Sequence, residues 1–572
     1  MSTIQFKETN CKNCYKCIRS CPVKAISFKN DQAQIIEDSC ILCGNCLKVC
    51  PQNAKSVKSD VEKVKSLIDR KFKVYASVAP SFSAAFNIED VRQLNAVFSK
   101  LGFTFAQETA VGASMVTNEY QNLMGKKEMK NIITTACPTI VSLVEMYYPE
   151  IIPQLAPVVS PMIAHAKKLK EMYGPRIKIV FVGPCLAKKD EYKDSSNDDL
   201  IDAVITFEEL EEWIKEKNIS LKFDVDTEKK EFFNISSRFY PIPGGIIKSL
   251  DKNRKLNYKL LKVDGIERCI EILEDIKSNS IKDYFIEMNS CFGGCLGGAC
   301  MNSDCKSQVV MREKLISYVN KSAVYSTDNT KDITRVNLLK TFKDKSKKYV
   351  LPDKKEIDDI LHKTNKYTKE QELNCGACGY PTCRDKAVAV FYNKADINMC
   401  LPYMRERAES ISNLIINSSP NAIFALNEDL FIQEINLTAR KMFKLEYEEV
   451  INKNIYEILD CPDICIVGET KNDIYNQKVC YKSYNLVVEQ SIQYIKENHS
   501  IIIIMKNITK DEKVQEQLYK MKSETVDIAQ KVIEKQMRVA QEIASLLGET
   551  TAETKVALTK LKKIIQSEIG ED

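Results

Sequence analysis

The chain has 572 residues, a length that corresponds to about three to five domains. Its net charge of +5 is small for a chain in which 28% of residues are charged, which excludes a strongly basic nucleic-acid-binding protein. The longest aliphatic run covers only residues 501–505, far fewer than the ~20 that cross a bilayer, and the N-terminus has no signal-like apolar stretch. We therefore expect a soluble cytoplasmic protein that binds neither nucleic acid nor membrane.

Cysteine is the most informative residue type in this sequence. There are 22 cysteines but only three histidines, His165, His362 and His499. Because disulfides are rare in a reducing cytosol, dense and patterned cysteines predict metal ligands. The scarcity of histidine argues against histidine-ligated metals, histidine-based acid–base catalysis and a histidine kinase.

An internal repeat opens the chain, since "CKNCYKCIRSCP" at 11–22 recurs as "CILCGNCLKVCP" at 40–51. The spacing C-x2-C-x2-C-x3-C-P, present twice, is typical of ferredoxins with two [4Fe–4S] clusters, and predicts an α+β domain over 1–58. A pair of zinc knuckles is the alternative, but zinc ligands come in two pairs rather than three plus one. The predicted ligands are Cys11, Cys14, Cys17 and Cys50 for one cluster, and Cys40, Cys43, Cys46 and Cys21 for the other.

From about residue 59 to 350, amphipathic segments alternate with apolar runs such as 178–183, which predicts an α/β domain. Four cysteines are dispersed over it: Cys137, Cys185, Cys291 and Cys295. Each alone could be a buried thiol of the hydrophobic core. Together they would complete the ligand set of a third cubane, and the last two lie in a Gly-rich loop that lets backbone approach a bulky group.

The motifs "TACP", "PCLAKKDE" and "EMNSCFGGCLGGAC", in this order behind the two-cluster module, resemble an [FeFe]-hydrogenase catalytic domain over residues 1–310. The resemblance implies an H-cluster, in which a [4Fe–4S] cubane is joined to a two-iron unit bearing CO, cyanide and a bridging dithiolate. It also implies dedicated maturation proteins as partners. By motif match, Cys137, Cys185, Cys291 and Cys295 hold the cubane, and Cys295 bridges to the two-iron unit.

Further site residues follow from the same resemblance. Lys188 matches the lysine that contacts a cyanide, and Glu191 matches the glutamate that accompanies it. A cation suits this place because cyanide is an anionic acceptor. Pro80 and Ser81, in "SVAPS", resemble the small-residue turn near the two-iron unit. The alternative for Lys188 and Glu191 is a surface helix pair at i,i+3.

The departures from the family pattern concern proton transfer. Ala136 stands where turnover enzymes of the family usually have a proton-relay cysteine, and Gly183 and Asn289 stand where they usually have methionine. Glu119 is either a remnant of the relay glutamates or an exposed helix residue. Because positioned proton transfer contributes ~10²–10⁴ in rate, Ala136 predicts slow turnover.

A fourth cysteine group predicts a small [4Fe–4S] module over 351–405, after a polar connector at 342–369 with one short helix. Its "CGACGYPTC" sequence is typical of such modules, and a zinc ribbon is the alternative. The predicted ligands are Cys375, Cys378, Cys383 and Cys400. No role is assigned to Cys269, Cys300, Cys305, Cys461, Cys465 and Cys480.

The last two segments resemble signalling modules. Residues 406–510 resemble a PAS domain of α+β fold, and 511–572 are predicted to be coiled-coil helices interrupted at Gly548. Apolar residues recur at alternating steps of four and three, which favours a marginal homodimer; the alternative is a helix packed on its own PAS domain. The heptad positions are Val514, Leu518, Met521, Thr525, Ile528, Val532, Lys535, Val539, Glu542 and Leu546.

The sequence thus favours a hydrogen or redox sensor in a multidomain α/β chain. Slow, reversible interconversion of H2 with protons and electrons would be coupled to the PAS domain, the coiled coil and a separate kinase or phosphatase. An ordinary hydrogenase that exchanges electrons with a ferredoxin-type partner is the first alternative. The second is a non-catalytic iron–sulfur scaffold that never receives the two-iron unit.

Overall fold

The computed structural model describes residues 3–6, 10–29, 32–86, 88, 91–194, 200–221, 235–251, 253–254, 256–301, 307–322, 336–347, 350–547 and 552–567. The chain divides into two compact units, Met1–Tyr403 and Met404–Asp572. Within the described ranges, no helix is both long and apolar enough to cross a membrane.

The N-terminal segment folds as two similar halves, as the sequence repeat predicts. Each half has a short helix that contains the third cysteine of its repeat, Cys17 or Cys46, after a residue with positive φ, Tyr15 or Gly44. The first strand pairs antiparallel with the fourth, and the second with the third. The elements are β1 (Ile4–Phe6), α1 (Lys16–Arg19), β2 (Ile26–Lys29), β3 (Gln32–Ile35), α2 (Asn45–Lys48) and β4 (Lys55–Val57).

Two parallel sheets form the central domain, in the orders β6-β5-β8-β9 and β10-β11-β7. Every residue of β5 and of β9 is buried, as expected for parallel strands covered on both faces. The strands are β5 (Val74–Val78), β6 (Phe105–Glu108), β7 (Ile132–Ile133), β8 (Lys178–Gly183), β9 (Ala203–Thr206), β10 (Lys259–Asp264) and β11 (Tyr284–Asn289).

Helices cover both sheets. The helix over 207–216 starts at a capping box made by Thr206 and Glu209. Two helices approach closely at Gly112, where an added Cβ would lie 2.2 Å from the Pro161 carbonyl oxygen. The helices are α3 (Val61–Asp69), α4 (Phe82–Phe86), α5 (Val91–Lys100), α6 (Ala110–Lys126), α7 (Pro138–Tyr147), α8 (Pro161–Tyr173), α9 (Lys188–Glu191), α10 (Phe207–Glu216), α11 (Gly245–Ser249), α12 (Ile266–Lys277) and α13 (Gln308–Ser322).

The first unit ends in a small module with few regular elements. α14 (Lys354–His362) is the short helix expected in the connector, and α15 (Cys383–Phe391) starts at a capping box of Thr382 and Asp385. α16 (Leu401–Ser418) begins directly after Cys400.

The second unit contains a five-stranded antiparallel sheet in the order β13-β12-β16-β15-β14. Its elements are β12 (Ala422–Asn427), β13 (Ile432–Ile435), α17 (Leu437–Phe443), α18 (Tyr447–Val450), α19 (Asp463–Thr470), β14 (Ile474–Tyr481), β15 (Leu486–Ile495) and β16 (Ser500–Asn507). Two helices follow, α20 (Thr509–Leu547) and α21 (Ala552–Ser567); the predicted break at Gly548 lies outside the described residues. The multidomain α/β fold class is confirmed.

Candidate functional site

The four dispersed cysteines of the central domain line one cavity, with about 980 Å³ of space free of protein atoms, part of which is open solvent. Cys185 follows β8, Cys291 and Cys295 follow β11, and Cys137 lies between β7 and α7. Ligands of parallel α/β sheets bind beyond the carboxyl ends of the strands, because loops from different strands meet there. The topology therefore brings together residues that are far apart in the sequence. Cys137 in "TACP" and Cys295 in the Gly-rich loop are 158 positions apart.

These thiols lie within electrostatic reach of one another. Burial, with smaller contributions from the neighbouring Cys137 and Cys291, raises the pKa of Cys185 to about 12 although Lys188 acts to lower it. Burial also raises the pKa of Cys295 well above the usual value, although its side chain is accessible from within the cavity. A cavity that gathers four thiolates needs positive charge to hold them, and an iron cluster supplies it.

Lys188 and Glu191 form a buried pair at the cavity. The Lys188 Nζ donates to Glu191 Oε2 at 2.6 Å, and the side chains are only 9% and 7% exposed. They are one helical turn apart on α9, but the surface-pair alternative is wrong because both are buried. Lys188 also lines the cavity and can present its charge to an anionic group there.

The turn after β5 adds a hydroxyl with no internal partner. Pro80 and Ser81 are both buried and both line the cavity. Among the described residues, the Ser81 Oγ has no hydrogen-bond partner. A buried orphan hydroxyl fits a cavity that receives a polar group, and cyanide is such an acceptor. The residues present therefore fit the H-cluster.

Two of the departures from the family pattern, Ala136 and Asn289, line the cavity, and the third, Gly183, directly precedes the lining residue Pro184. Ala136 lines the cavity directly before Cys137, and its methyl neither donates nor accepts a proton. Gly183 has no room for a larger side chain, since an added Cβ would lie 2.9 Å from the Phe181 ring. Asn289 lines the cavity and donates through Nδ2 to Glu287 Oε1 at 3.3 Å.

Glu287 was missed by the sequence reasoning. It is fully buried on β11, and it accepts hydrogen bonds from the Gly244 N–H at 2.8 Å and the Ile247 N–H at 3.0 Å. Burial raises its pKa to about 7, while these hydrogen bonds lower it. Its signal in the sequence was a single acidic residue inside the apolar run before "MNSC".

A cluster of buried hydroxyls next to the cavity was also missed. Tyr240 lines the cavity, and its hydroxyl lies 2.8 Å from the Thr117 Oγ1, which lies 3.0 Å from the Ser249 Oγ. Tyr120 accepts from the Thr135 N–H at 2.9 Å. Glu119, the suggested relay remnant, is half-buried on α6 and is absent from the cavity lining.

The N-terminal domain reaches the same cavity. Leu42 and Cys43 line it, and Lys48 Nζ donates to the Gly297 carbonyl oxygen. Gly44, with φ of 76°, lies so close to Ala299 that an added Cβ would be 2.3 Å from its Cβ. The second ferredoxin-type cysteine set, which includes Cys43, is thus the nearer one to the cavity.

The fourth cysteine group lines a second cavity, with about 370 Å³ free of protein atoms. All of Cys375, Cys378, Cys383 and Cys400 are on its wall, as the spacing predicted. Nowhere in the described ranges do three or more His, Cys, Asp or Glu side chains converge as ligands of a single metal ion. The thiols of the central set and of the fourth group are each spread around a cavity, and a cubane binds each thiolate at a different corner.

The cysteines to which no role is assigned lie in different surroundings. Cys269 donates to the Asn289 carbonyl oxygen at a sulfur–oxygen distance of 3.5 Å. Cys461 accepts from Gln490 inside the second unit, and Cys300 is fully buried. Cys305 lies outside the described residues.

Four family models match the chain. Residues 72–299 match the iron only hydrogenase large subunit, C-terminal domain, and residues 10–54 match the 4Fe-4S dicluster domain. Residues 371–402 match an Fe-S cluster family and residues 413–463 match the PAS fold.

Individual proteins are similar to this chain, at sequence identities of 29% or less. The periplasmic [Fe] hydrogenase large subunit of Nitratidesulfovibrio vulgaris is 29% identical over 359 residues, covering 52% of this chain and 85% of that protein. Iron hydrogenase 1 of Clostridium pasteurianum is 25% identical over 276 residues, covering 39% and 48%. The solved [FeFe]-hydrogenase HydA1 from Chlamydomonas reinhardtii is 16% identical, with a TM-score of 0.39, covering 51% of this chain and 100% of that one.

Proposed function

Since the chain is an [FeFe]-hydrogenase-like iron–sulfur protein with a dicluster domain and a PAS domain, we propose that it is a hydrogen sensor. Its cofactors are [4Fe–4S] clusters and the H-cluster. When bound, the two-iron unit of the H-cluster supplies the place where H2 binds and is split. The finer assignments below belong to this proposal.

The chain's own residues would hold and polarise that group. Cys137, Cys185, Cys291 and Cys295 would hold the cubane, and Cys295 would also bind the two-iron unit. Lys188, held by Glu191 at 2.6 Å, would donate from its ammonium to an anionic cyanide of the bound group. Ser81 supplies a further hydroxyl donor from the turn after β5.

The observation that carries the proposal is Ala136 in the cavity wall. A thiol at this position could pass a proton between the cavity and the protein, but a methyl group cannot. H2 can therefore bind at a site where protons leave slowly. This combination suits detection, where occupancy matters more than turnover.

The second unit supports a signalling role. The apolar heptad positions of α20 are exposed, with Leu518 at 49%, Ile528 at 61% and Val532 at 52%. An exposed apolar seam with this spacing fits a homodimeric coiled coil. We propose that it passes the signal to a separate kinase or phosphatase.

The test compares wild type, Ala136→Cys and Ala136→Val after maturation. We expect infrared CO and cyanide bands that respond to H2 in all three, with slow turnover in wild type and Ala136→Val. Ala136→Cys should raise turnover by less than the ~10²–10⁴ of an intact relay, because Gly183 and Asn289 also differ. Wild-type turnover equal to that of a cysteine-bearing relative would contradict the proposal, and absent CO bands would favour the scaffold alternative.

A turnover hydrogenase remains the second candidate. The observation that favours it is the contact between the N-terminal domain and the cavity. Cys43 lines the cavity, so a cluster bound there would be close enough to exchange electrons with the H-cluster. A ferredoxin-type protein would then be the electron partner. The same turnover assay separates the two functions.

A further inference from the structure

Two lysines are buried in the cavity of the fourth cysteine group. Lys366 is 8% exposed and Lys386 is 6% exposed, and both line the cavity with the four thiols. Lysine side chains normally extend to keep the ammonium in water, so two buried ammonium groups in one small cavity need a cause.

Neither lysine has a carboxylate at ion-pair distance among the described residues, although Asp396 lies within electrostatic reach of Lys386. Lys366 Nζ donates to the Thr364 carbonyl oxygen at 3.0 Å, to its Oγ1 at 3.1 Å and to Cys400 Sγ at 3.4 Å. Lys386 Nζ donates to the Ile397 carbonyl oxygen at 2.8 Å. Among the described residues, neither forms an ion pair with a carboxylate, and an unpaired buried charge costs several kcal/mol.

A cluster held by four thiolates carries net negative charge, and reduction adds one more. We propose that Lys366 and Lys386 are the counter-ions of the [4Fe–4S] cluster at Cys375, Cys378, Cys383 and Cys400, and that they raise its midpoint potential. The attraction between the lysines and the cluster grows on reduction, so the reduced state is favoured.

The electron would come from the N-terminal domain, which packs against this module. Arg19 donates through Nη1 to the Ala377 carbonyl oxygen at 2.9 Å, and an added Cβ on Gly379 would lie 2.8 Å from Ile18 Cγ2. The buried Tyr380 lies within electrostatic reach of both Cys21 and Cys378. One ferredoxin-type cluster loses one electron and the fourth cluster gains it. In the proposed sensor, on which this role rests, the fourth cluster then receives electrons that come from H2.

The test is a redox titration of the full-length chain with all clusters present, in which electron paramagnetic resonance detects the reduced clusters. The signal of the fourth cluster is assigned by its loss in Cys378→Ala. We expect Lys366→Met and Lys386→Met each to lower the midpoint potential of the fourth cluster by at least about 59 mV. For one electron, this is a tenfold change in the equilibrium constant of its reduction. Lys366→Arg keeps the charge and should remain near wild type. Lys363→Met removes an exposed lysine three residues away and should have little effect, since water screens that charge.

Unchanged midpoint potentials in Lys366→Met and Lys386→Met, with full iron and sulfide content, would overturn the proposal. If a methionine variant binds less iron, Lys366→Gln and Lys386→Gln take its place, and an unchanged potential in them is equally decisive. The titration uses no H2, so a failed sensor function and a failed counter-ion role give different results.

Discussion

At the scale of single residues, the side chain of Phe181 limits the size of the side chain that position 183 can have. The Phe181 ring lies where a side chain at position 183 would extend, so Gly183 is required by the packing around it. The ring itself lines the cavity. A side chain at position 183 would therefore require the aromatic ring two residues earlier on β8 to move.

We predict that Gly183→Met destabilises the protein by about 1–3 kcal/mol, since overpacking a buried site forces side chains from their preferred rotamers. The double variant Phe181→Ala/Gly183→Met should lose less than the sum of the two single variants, because the smaller residue makes room. Thermal unfolding of all four proteins measures this coupling. A wild-type Tm in Gly183→Met would refute the packing argument.

Glu287 predicts a pH dependence of stability. Its pKa rises from 4.5 to about 7 on folding, so the folded chain binds more protons than the unfolded chain between these values. The stability it contributes is fully present below pH 4.5 and is lost as the pH rises through 7, about 3 kcal/mol in total.

Glu287→Gln imitates the protonated acid and should remove this loss. We expect the Tm difference between pH 5 and pH 8 to be smaller in Glu287→Gln than in wild type. Glu119→Gln, at a half-buried helix position away from the cavity lining, serves as the control. Identical pH profiles for wild type and Glu287→Gln would mean that this carboxyl is not held protonated by burial.

At the scale of elements, local spacing was the predictable part. The repeated cysteine spacing fixes short loops and single-turn helices, and the four-and-three steps after residue 509 correspond to the long helix α20. The surroundings of the cavity were less predictable, because the lining residue Tyr240 and the buried residues Thr117 and Glu287 come from separate elements that only the tertiary fold brings together. The periodicity of apolar residues along the sequence does not predict contacts between separate elements.

The coiled-coil seam of α20 can be tested directly. Ile528→Asp puts a charge into the apolar seam and should shift a dimer to a monomer, as desolvating an unpaired carboxylate is costly. Gln530→Asp introduces the same residue on the opposite face of the helix and should leave the dimer intact. Light scattering of both variants gives the mass, and an Ile528→Asp dimer of wild-type stability would show that this seam does not pair.

At the scale of the whole molecule, the first unit contains all four predicted cluster sites. Cys43 lines the hydrogenase-type cavity, and Arg19 and Ile18 contact the module of the fourth cysteine group. The predicted cluster sites thus all belong to the unit Met1–Tyr403, and the PAS fold belongs to the second unit. For H2 to act as a signal, it must bind two states of the protein unequally.

The most direct test of the sensor proposal is hydrogen–deuterium exchange of the α20 amides in the full chain, with and without H2. The control is the same chain produced without maturation proteins, which lacks the two-iron unit. We predict that H2 changes α20 exchange in the matured protein and leaves the control unchanged. Exchange that is identical with and without H2 in the matured protein would contradict the proposal.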